Sequence, residues 1–378
     1  MDVDTIIPAM MIDSGGSALQ IGILSAIMVG GANFSQVFYA PFISNFKFKR
    51  KFLLIGINSR IVALLGMALL LFYSGELENK TVIWLIFLLI SFFSFGGAYA
   101  NVSYTDILGK SVLKDSRKSF FSIRQVLNGA ILFLSALAAK QVLSASQYPE
   151  NYAFAFLIAC GALLLASAGF WNIKEVVPSK LPVKNASAFI HWMKNELSGN
   201  LRLKYFLGFV NTMGVSISVL PFMILYAKNI AGEAEVNAGL FLVFKIIGSV
   251  ATGLILFLLA KKYQYRYLLY GSSLLAFILP LFILMSPESP AFPVIFIIGG
   301  VIFTIYNITM NGILLELSGT ENRTLYAGIT GTGNIFPALF PVVGGWIIQQ
   351  FGFTPFFLLY MLIIAASGYF IYKINCLK

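Results

Sequence analysis

The chain has 378 residues, of which 58% are hydrophobic and only 11% charged, with a mean hydropathy of +0.85. Soluble domains carry roughly 25% charged residues, so a water-solvated globule is excluded, and the net charge of +11 has no bearing on nucleic acid unless it forms one patch. Two cysteines, Cys160 and Cys376, and a single histidine, His191, supply neither a disulfide framework nor a metal-ligand spacing. No cofactor, metal, catalytic group or nucleic-acid partner is expected.

Met1 to Ile12 is apolar but too short to cross a bilayer, and Asp13-Ser14-Gly15-Gly16-Ser17 turns the chain. Apolar runs follow at Ala18 to Ser44, Phe52 to Ser74, Thr81 to Ser103, Ser119 to Leu143 and Ala153 to Asn172. A long polar interval, 173–204, carries Lys174, Glu175, Lys180, Lys184, Lys194, Glu196, Arg202 and Lys204. Beyond it lie runs at Tyr205 to Lys228, Asn237 to Ala260, Tyr267 to Ser286, Pro293 to Leu315, Leu325 to Gln350 and Pro355 to Ile374. Each run has the roughly 20 residues an α-helix needs to span about 30 Å of hydrocarbon. The spacing predicts an all-α membrane protein of eleven complete spans and a partial first one, divided into 1–172, a linker 173–204 and 205–378. Only seven residues precede Pro8, whereas the seventh run begins well before the corresponding Pro221, so the native reading frame is expected to start upstream. Within the linker, Ala186 to Leu197 places Phe189, Trp192, Met193 and Leu197 on one helical face, the pattern of a helix lying flat on a membrane.

The charges alternate by loop. Of the 26 Lys and Arg, 21 fall on one side, in the loops near 47–51, 110–124, 174–204 and 261–266, at Arg323, and at Lys373 and Lys378. The opposite loops hold Glu76, Glu78, Glu150, Glu233, Glu235 and Glu288. The basic side is expected to be cytoplasmic, which puts the linker and C-terminus inside a plasma (inner) membrane.

The halves also match in register. Lys47-Phe48-x-x-Lys51-Phe52-Leu53-Leu54-x-Gly56 recurs as Lys262-Tyr263-x-x-Arg266-Tyr267-Leu268-Leu269-x-Gly271, and Asn101 and Arg117 are spaced like Asn307 and Arg323. Duplicated six-helix units are a known way to build transporters. With its six-plus-six layout, basic loops after the second and eighth spans and long polar linker, the chain resembles the major facilitator superfamily over its whole length. The loop Ala40 to Lys51 keeps that family's basic residues but lacks its acid and both glycines, and Ser119 to Leu143 lacks the antiporter-type Gly-Pro motif. The resemblance implies two six-helix bundles of about twelve helices and secondary transport of a small-molecule solute by a monomer. It also places the fourth, seventh and tenth spans around a central cavity.

Charges inside spans are costly and mark function by default; Asp4, Arg60, Lys140 and Lys245 are such charges. Lys245 shares a helical face with Ala238, Gly248, Ser249 and Thr252, so it faces protein or water. Either it binds an anionic or polyhydroxylated solute, or it pairs with Asp4 across the cavity and leaves apolar or cationic cargo. Asp4 is the candidate coupling site for a proton or cation. Arg60 and Lys140 read as structural. Stripes of uncharged polar residues add Asn101, Asn211, Asn307 and Asn311 as candidate solute contacts. On the basic side, Arg50 and Arg266 face Asp106 and Glu316 as a candidate gate. Asp106 to Ser111 ends like a phosphate-binding loop but has Tyr104 where the first glycine belongs, so nucleotide is set aside.

Overall fold

The computed structural model describes residues 2–44, 46–111, 117–176, 186–231, 237–258, 264–285, 291–318, 331 and 334–376. The first half begins with a short helix α1 (Ile6–Asp13) and continues through α2 (Ala18–Ser44), α3 (Arg50–Phe72), α4 (Asn79–Ser111), α5 (Arg117–Ala145) and α6 (Glu150–Trp171). The linker contributes α7 (Ala186–Gly199). The second half holds α8 (Leu201–Met213), α9 (Leu220–Ala231), α10 (Ala238–Leu258), α11 (Tyr265–Ile278), α12 (Leu281–Met285), α13 (Phe292–Ser318), α14 (Ile335–Phe351) and α15 (Phe353–Cys376). Among the described residues, nine helical segments are long and apolar enough to cross a membrane, and Ala18–Gly31 and Ile335–Phe351 are shorter apolar ones.

Two expected runs are interrupted where the local chemistry breaks a helix. The seventh passes from α8 through a 3-10 turn, Gly214–Ser218, into α9. Pro221 has no N–H to donate and its ring crowds the carbonyl four residues back, so regular helix resumes only with the proline in the first turn of α9. Pro280 divides the ninth run into α11 and α12 in the same way. In the eleventh run helix α14 starts at Ile335 with Asn334 as its N-cap; residues 319–330 lie outside the described set. Pro293, Pro337 and Pro355 each sit in the first turn of a helix, where the missing donor removes no internal bond.

In the first half α3 packs on α4 and α6, and α2 on α4; in the second, α10 packs on α13, α8 on α15 and α11 on both α13 and α15. The halves meet chiefly where α2 lies along α14 and α5 along α10. At the first seam a side chain on Gly22 would collide with the Pro341 carbonyl, and one on Gly345 with that of Ala18. Small residues permit such backbone approach, the main source of helix adhesion in lipid. The outward faces are apolar: Val62, Trp84, Ile131, Leu134, Leu165 and Leu362 are all exposed. Such a surface suits hydrocarbon and is unsuited to water.

Candidate functional site

The site begins with the turn before α1. The Asp2 carboxylate accepts hydrogen bonds from the Asp4 backbone N–H at 3.1 Å and from the Thr5 hydroxyl at 2.8 Å, which holds both acids on the same side of the chain. Lys245 reaches them from α10 in the other half. Its Nζ lies 2.6 Å from Asp4 Oδ2 and 2.9 and 3.1 Å from the two Asp2 oxygens. Lys245 is 3% exposed and Asp4 6%. Charges so far from water persist only when paired and hydrogen-bonded, and here one ammonium faces two carboxylates.

The lysine is held from behind. A side chain on Gly300 would strike the Lys245 carbonyl, and one on Gly248 that of Ile297, so α10 and α13 touch backbone to backbone. Ser249 donates to the Gly300 carbonyl at 3.1 Å and Thr304 to the Ser249 carbonyl at 3.3 Å. The Phe303 ring centroid lies 5.3 Å from the ammonium, near the reach of a cation–π contact. The face expected for Lys245 is therefore the face observed, with Gly248, Ser249 and Thr252 turned toward protein rather than lipid.

A second cluster joins the halves nearer the helix ends. Lys228, in the last turn of α9 and 4% exposed, pairs with Asp13 at the end of α1 and donates to the Ala9 carbonyl at 3.4 Å. Tyr152 at the start of α6 donates to the other Asp13 oxygen at 2.7 Å, and Tyr148 donates to the Ser14 hydroxyl at 3.1 Å. Beside them Asn237 donates to Ser144 at 3.1 Å, and Gly239 abuts the Lys140 backbone.

The remaining candidates lie apart from these clusters. Asn211 donates to the Leu207 carbonyl at 2.8 Å and accepts from the Phe336 N–H at 3.0 Å; Asn307 donates to the Phe303 carbonyl at 2.8 Å. Asn101 is exposed on α4. The side chains of Asn311 and Glu316 lie outside the described residues. Lys49, rather than Arg50, meets Asp106, at 3.1 Å. Arg50 donates to the Trp171 carbonyl, and the backbone N–H groups of Lys49 and Arg50 donate to Glu175 at 2.6 and 2.9 Å. These contacts stay within the first half and the start of the linker. Arg266 stacks over Tyr270 at 5.9 Å. Arg60 lies over Phe93 at 4.2 Å. A concavity of about 550 Å³ at the α7–α8 junction is lined by Asn195, Glu196, Asn200 and Arg202, away from both clusters.

Sequence reasoning missed Asp2, Asp13, Lys228 and Tyr152. Asp2, Asp13 and Lys228 stand at run ends, where charges ordinarily meet water. A signal was available in their symmetry, since Asp13 ends the first helix and Lys228 the seventh, its counterpart in the other half.

Helices of membrane length with apolar outer faces and ion pairs sealed between two halves define a multi-pass membrane protein of the transporter type. The family model described as Major Facilitator Superfamily matches residues 3–334, and the chain belongs to that family. Its members are, as a class, carriers rather than enzymes. No curated protein sequence matches the chain. Among solved structures, the xylose transporter XylE from E. coli is similar at 13% identity, with 98% of this chain and 92% of that one covered and a TM-score of 0.69. A POT family transporter in complex with 5-aminolevulinic acid is similar at 12% identity, 96% and 91% coverage and a TM-score of 0.70. The nucleoside transporter NupG is similar at 14% identity, 99% and 94% coverage and a TM-score of 0.67. At these identities the likeness is one of fold.

Proposed function

We propose that the chain is a secondary transporter that moves a small polar solute by alternating access, with 1–172 and 205–378 as the two rocking units and 173–204 as their tether. The observation that carries this reading is the Lys245, Asp2 and Asp4 cluster, in which charged groups of opposite halves meet with Lys245 and Asp4 buried. A buried inter-half ion cluster must be broken or re-neutralised when the halves part, so the conformational change becomes sensitive to any ion or solute that replaces one partner. Two carboxylates against one ammonium leave one formal negative charge over. That excess favours uptake of a proton or cation at Asp4 or Asp2 as the coupling event. It disfavours capture of a free anion by Lys245, which would have to displace both acids. A neutral polar solute is the favoured cargo, and an anionic one is the second reading. The Asn101, Asn211, Asn307 and Asn311 amides are proposed solute contacts. The alternating loop charges support a cell-membrane orientation with linker and C-terminus cytoplasmic.

Counterflow in proteoliposomes tests the reading. The panel is D-xylose for neutral polyols, uridine for nucleosides and 5-aminolevulinic acid for zwitterions. Exchange of one of them above protein-free liposomes, lost in Lys245→Gln, is the expected result. Absence of exchange for all three opposes the transporter reading.

A further inference from the structure

A different group of polar atoms stands where two interrupted spans meet. Helix α14 has Asn334 as its N-cap, yet that side chain makes no capping hydrogen bond. Asn211 of α8 performs the task instead, accepting from the Phe336 N–H at 3.0 Å. The Asn334 amide is thereby released from its own helix, and its Oδ1 is buried without a hydrogen-bond partner. Tyr306 of α13, 4% exposed with its ring tilted against Phe209, likewise has a buried hydroxyl with no hydrogen-bond partner among the described residues. The two oxygens converge on the 3-10 turn between α8 and α9. A β-carbon placed on Gly214 would lie 2.6 Å from Pro337 Cγ, 3.1 Å from Tyr306 Oη and 3.2 Å from Asn334 Oδ1, so the two oxygens flank the turn beside the Pro337 ring. Ser216 in the same turn, 5% exposed, also has a buried hydroxyl oxygen without a partner.

Buried polar atoms are almost always hydrogen-bonded, because each one left unmet is destabilising. Two that converge at one break in a membrane helix, with a third in the same turn, call for a group that meets them. We propose that Tyr306 and Asn334 form a hydroxyl-recognising subsite, at which Tyr306 donates to a solute hydroxyl and that hydroxyl donates to Asn334 Oδ1. A hydroxyl both accepts and donates and so satisfies the pair. A carboxylate would oppose the amide oxygen, and an ammonium would be desolvated with none of the three groups carrying a compensating charge.

The subsite differs from the charged cluster in its chemistry. On α13, Tyr306 stands three residues, about 4.5 Å of helical rise, beyond Phe303, whose ring faces the Lys245 ammonium. The cargo is recognised by its hydroxyls in the second half, and the charge cluster is left to the coupling ion. The inference rests on the transporter reading above and narrows its cargo to neutral hydroxylated solutes.

The test uses the full chain as wild type, Tyr306→Phe and Asn334→Ala, with D-xylose, uridine and 5-aminolevulinic acid as counterflow probes and thermal unfolding of the solute-free protein alongside. Each variant is expected to raise the half-saturating concentration of D-xylose or uridine about three- to ten-fold, the loss of one hydrogen bond. The unfolding temperature of solute-free Tyr306→Phe should stay the same or rise. A lower unfolding temperature with unchanged half-saturation would identify a resident water at this place and overturn the proposal. Unchanged values of both kinds would overturn it too, as would a wild type that exchanges 5-aminolevulinic acid but neither hydroxylated probe. A wild type that exchanges none of the three defeats the transporter reading itself, and the subsite falls with it.

Discussion

Lys228 and Lys245 are both buried ammonium groups of the second half that reach back to the first helix, yet they stand in different company. Lys228 has one carboxylate, Asp13, steadied by Tyr152 and supplemented by a backbone carbonyl. Lys245 has two carboxylates and no neutral acceptor among its hydrogen bonds. The first arrangement balances charge at the ends of α1 and α9, as a latch between halves requires. Among the described residues, the second sets two carboxylates against one ammonium, and on the proposed reading a proton, cation or solute balances the excess. The proposed latch and the proposed coupling cluster therefore differ in stoichiometry, although a list of salt bridges would place them together.

Removing each lysine should separate the two roles. Lys245→Gln leaves two buried carboxylates facing each other, and breaking a buried charge cluster this way costs about 3 to 5 kcal/mol. A large drop in denaturation midpoint and complete loss of counterflow are expected. Lys228→Gln leaves Asp13 with its Tyr152 hydrogen bond, so a smaller loss of about 1 to 3 kcal/mol is expected. Its main readout is conformational: a cysteine at Ser144 should react faster with a membrane-impermeant thiol reagent once the latch is open. Equal labelling rates in the presence and absence of Lys228 would remove the latch from the account.

The seam between α2 and α14 offers the same opening without a change of charge. Gly345→Val should force these helices apart where Gly345 meets the Ala18 backbone, raising labelling at position 144 while the Lys245 cluster stays intact. The smallest effect is expected at Lys49→Gln. Its Asp106 partner is in the same half, so no shift in labelling should follow. A clear shift there would mean that the basic loop bridges the halves.

Much of this was legible in the residues, and the rest was hidden for physical reasons. Lys245 and Asp4 stood out because a charge inside an apolar run has no cheap alternative to a partner. Their pairing was one of two open readings, and Asp2 was not added because it stands at the very start of its run and carries no periodic signal. The interruptions at Pro221 and Pro280 follow from proline itself, but the 3-10 turn that exposes Gly214 to Tyr306 and Asn334 depends on packing between helices distant in sequence. Asn211 was visible as part of a polar stripe. Its work as a cap for a helix more than a hundred residues away was not, because it depends on where α14 begins.

A double-mutant cycle in thermal or chemical unfolding tests the charge imbalance at Lys245 most directly, using Lys245→Gln, Asp4→Asn and the two combined in the purified full chain. Because Asp2 still balances the ammonium, Asp4→Asn alone should be tolerated, whereas Lys245→Gln should be severely destabilised and the double variant should recover much of that loss. Strict additivity of the two single effects, or an Asp4→Asn as damaging as Lys245→Gln, would contradict an ammonium shared between two carboxylates.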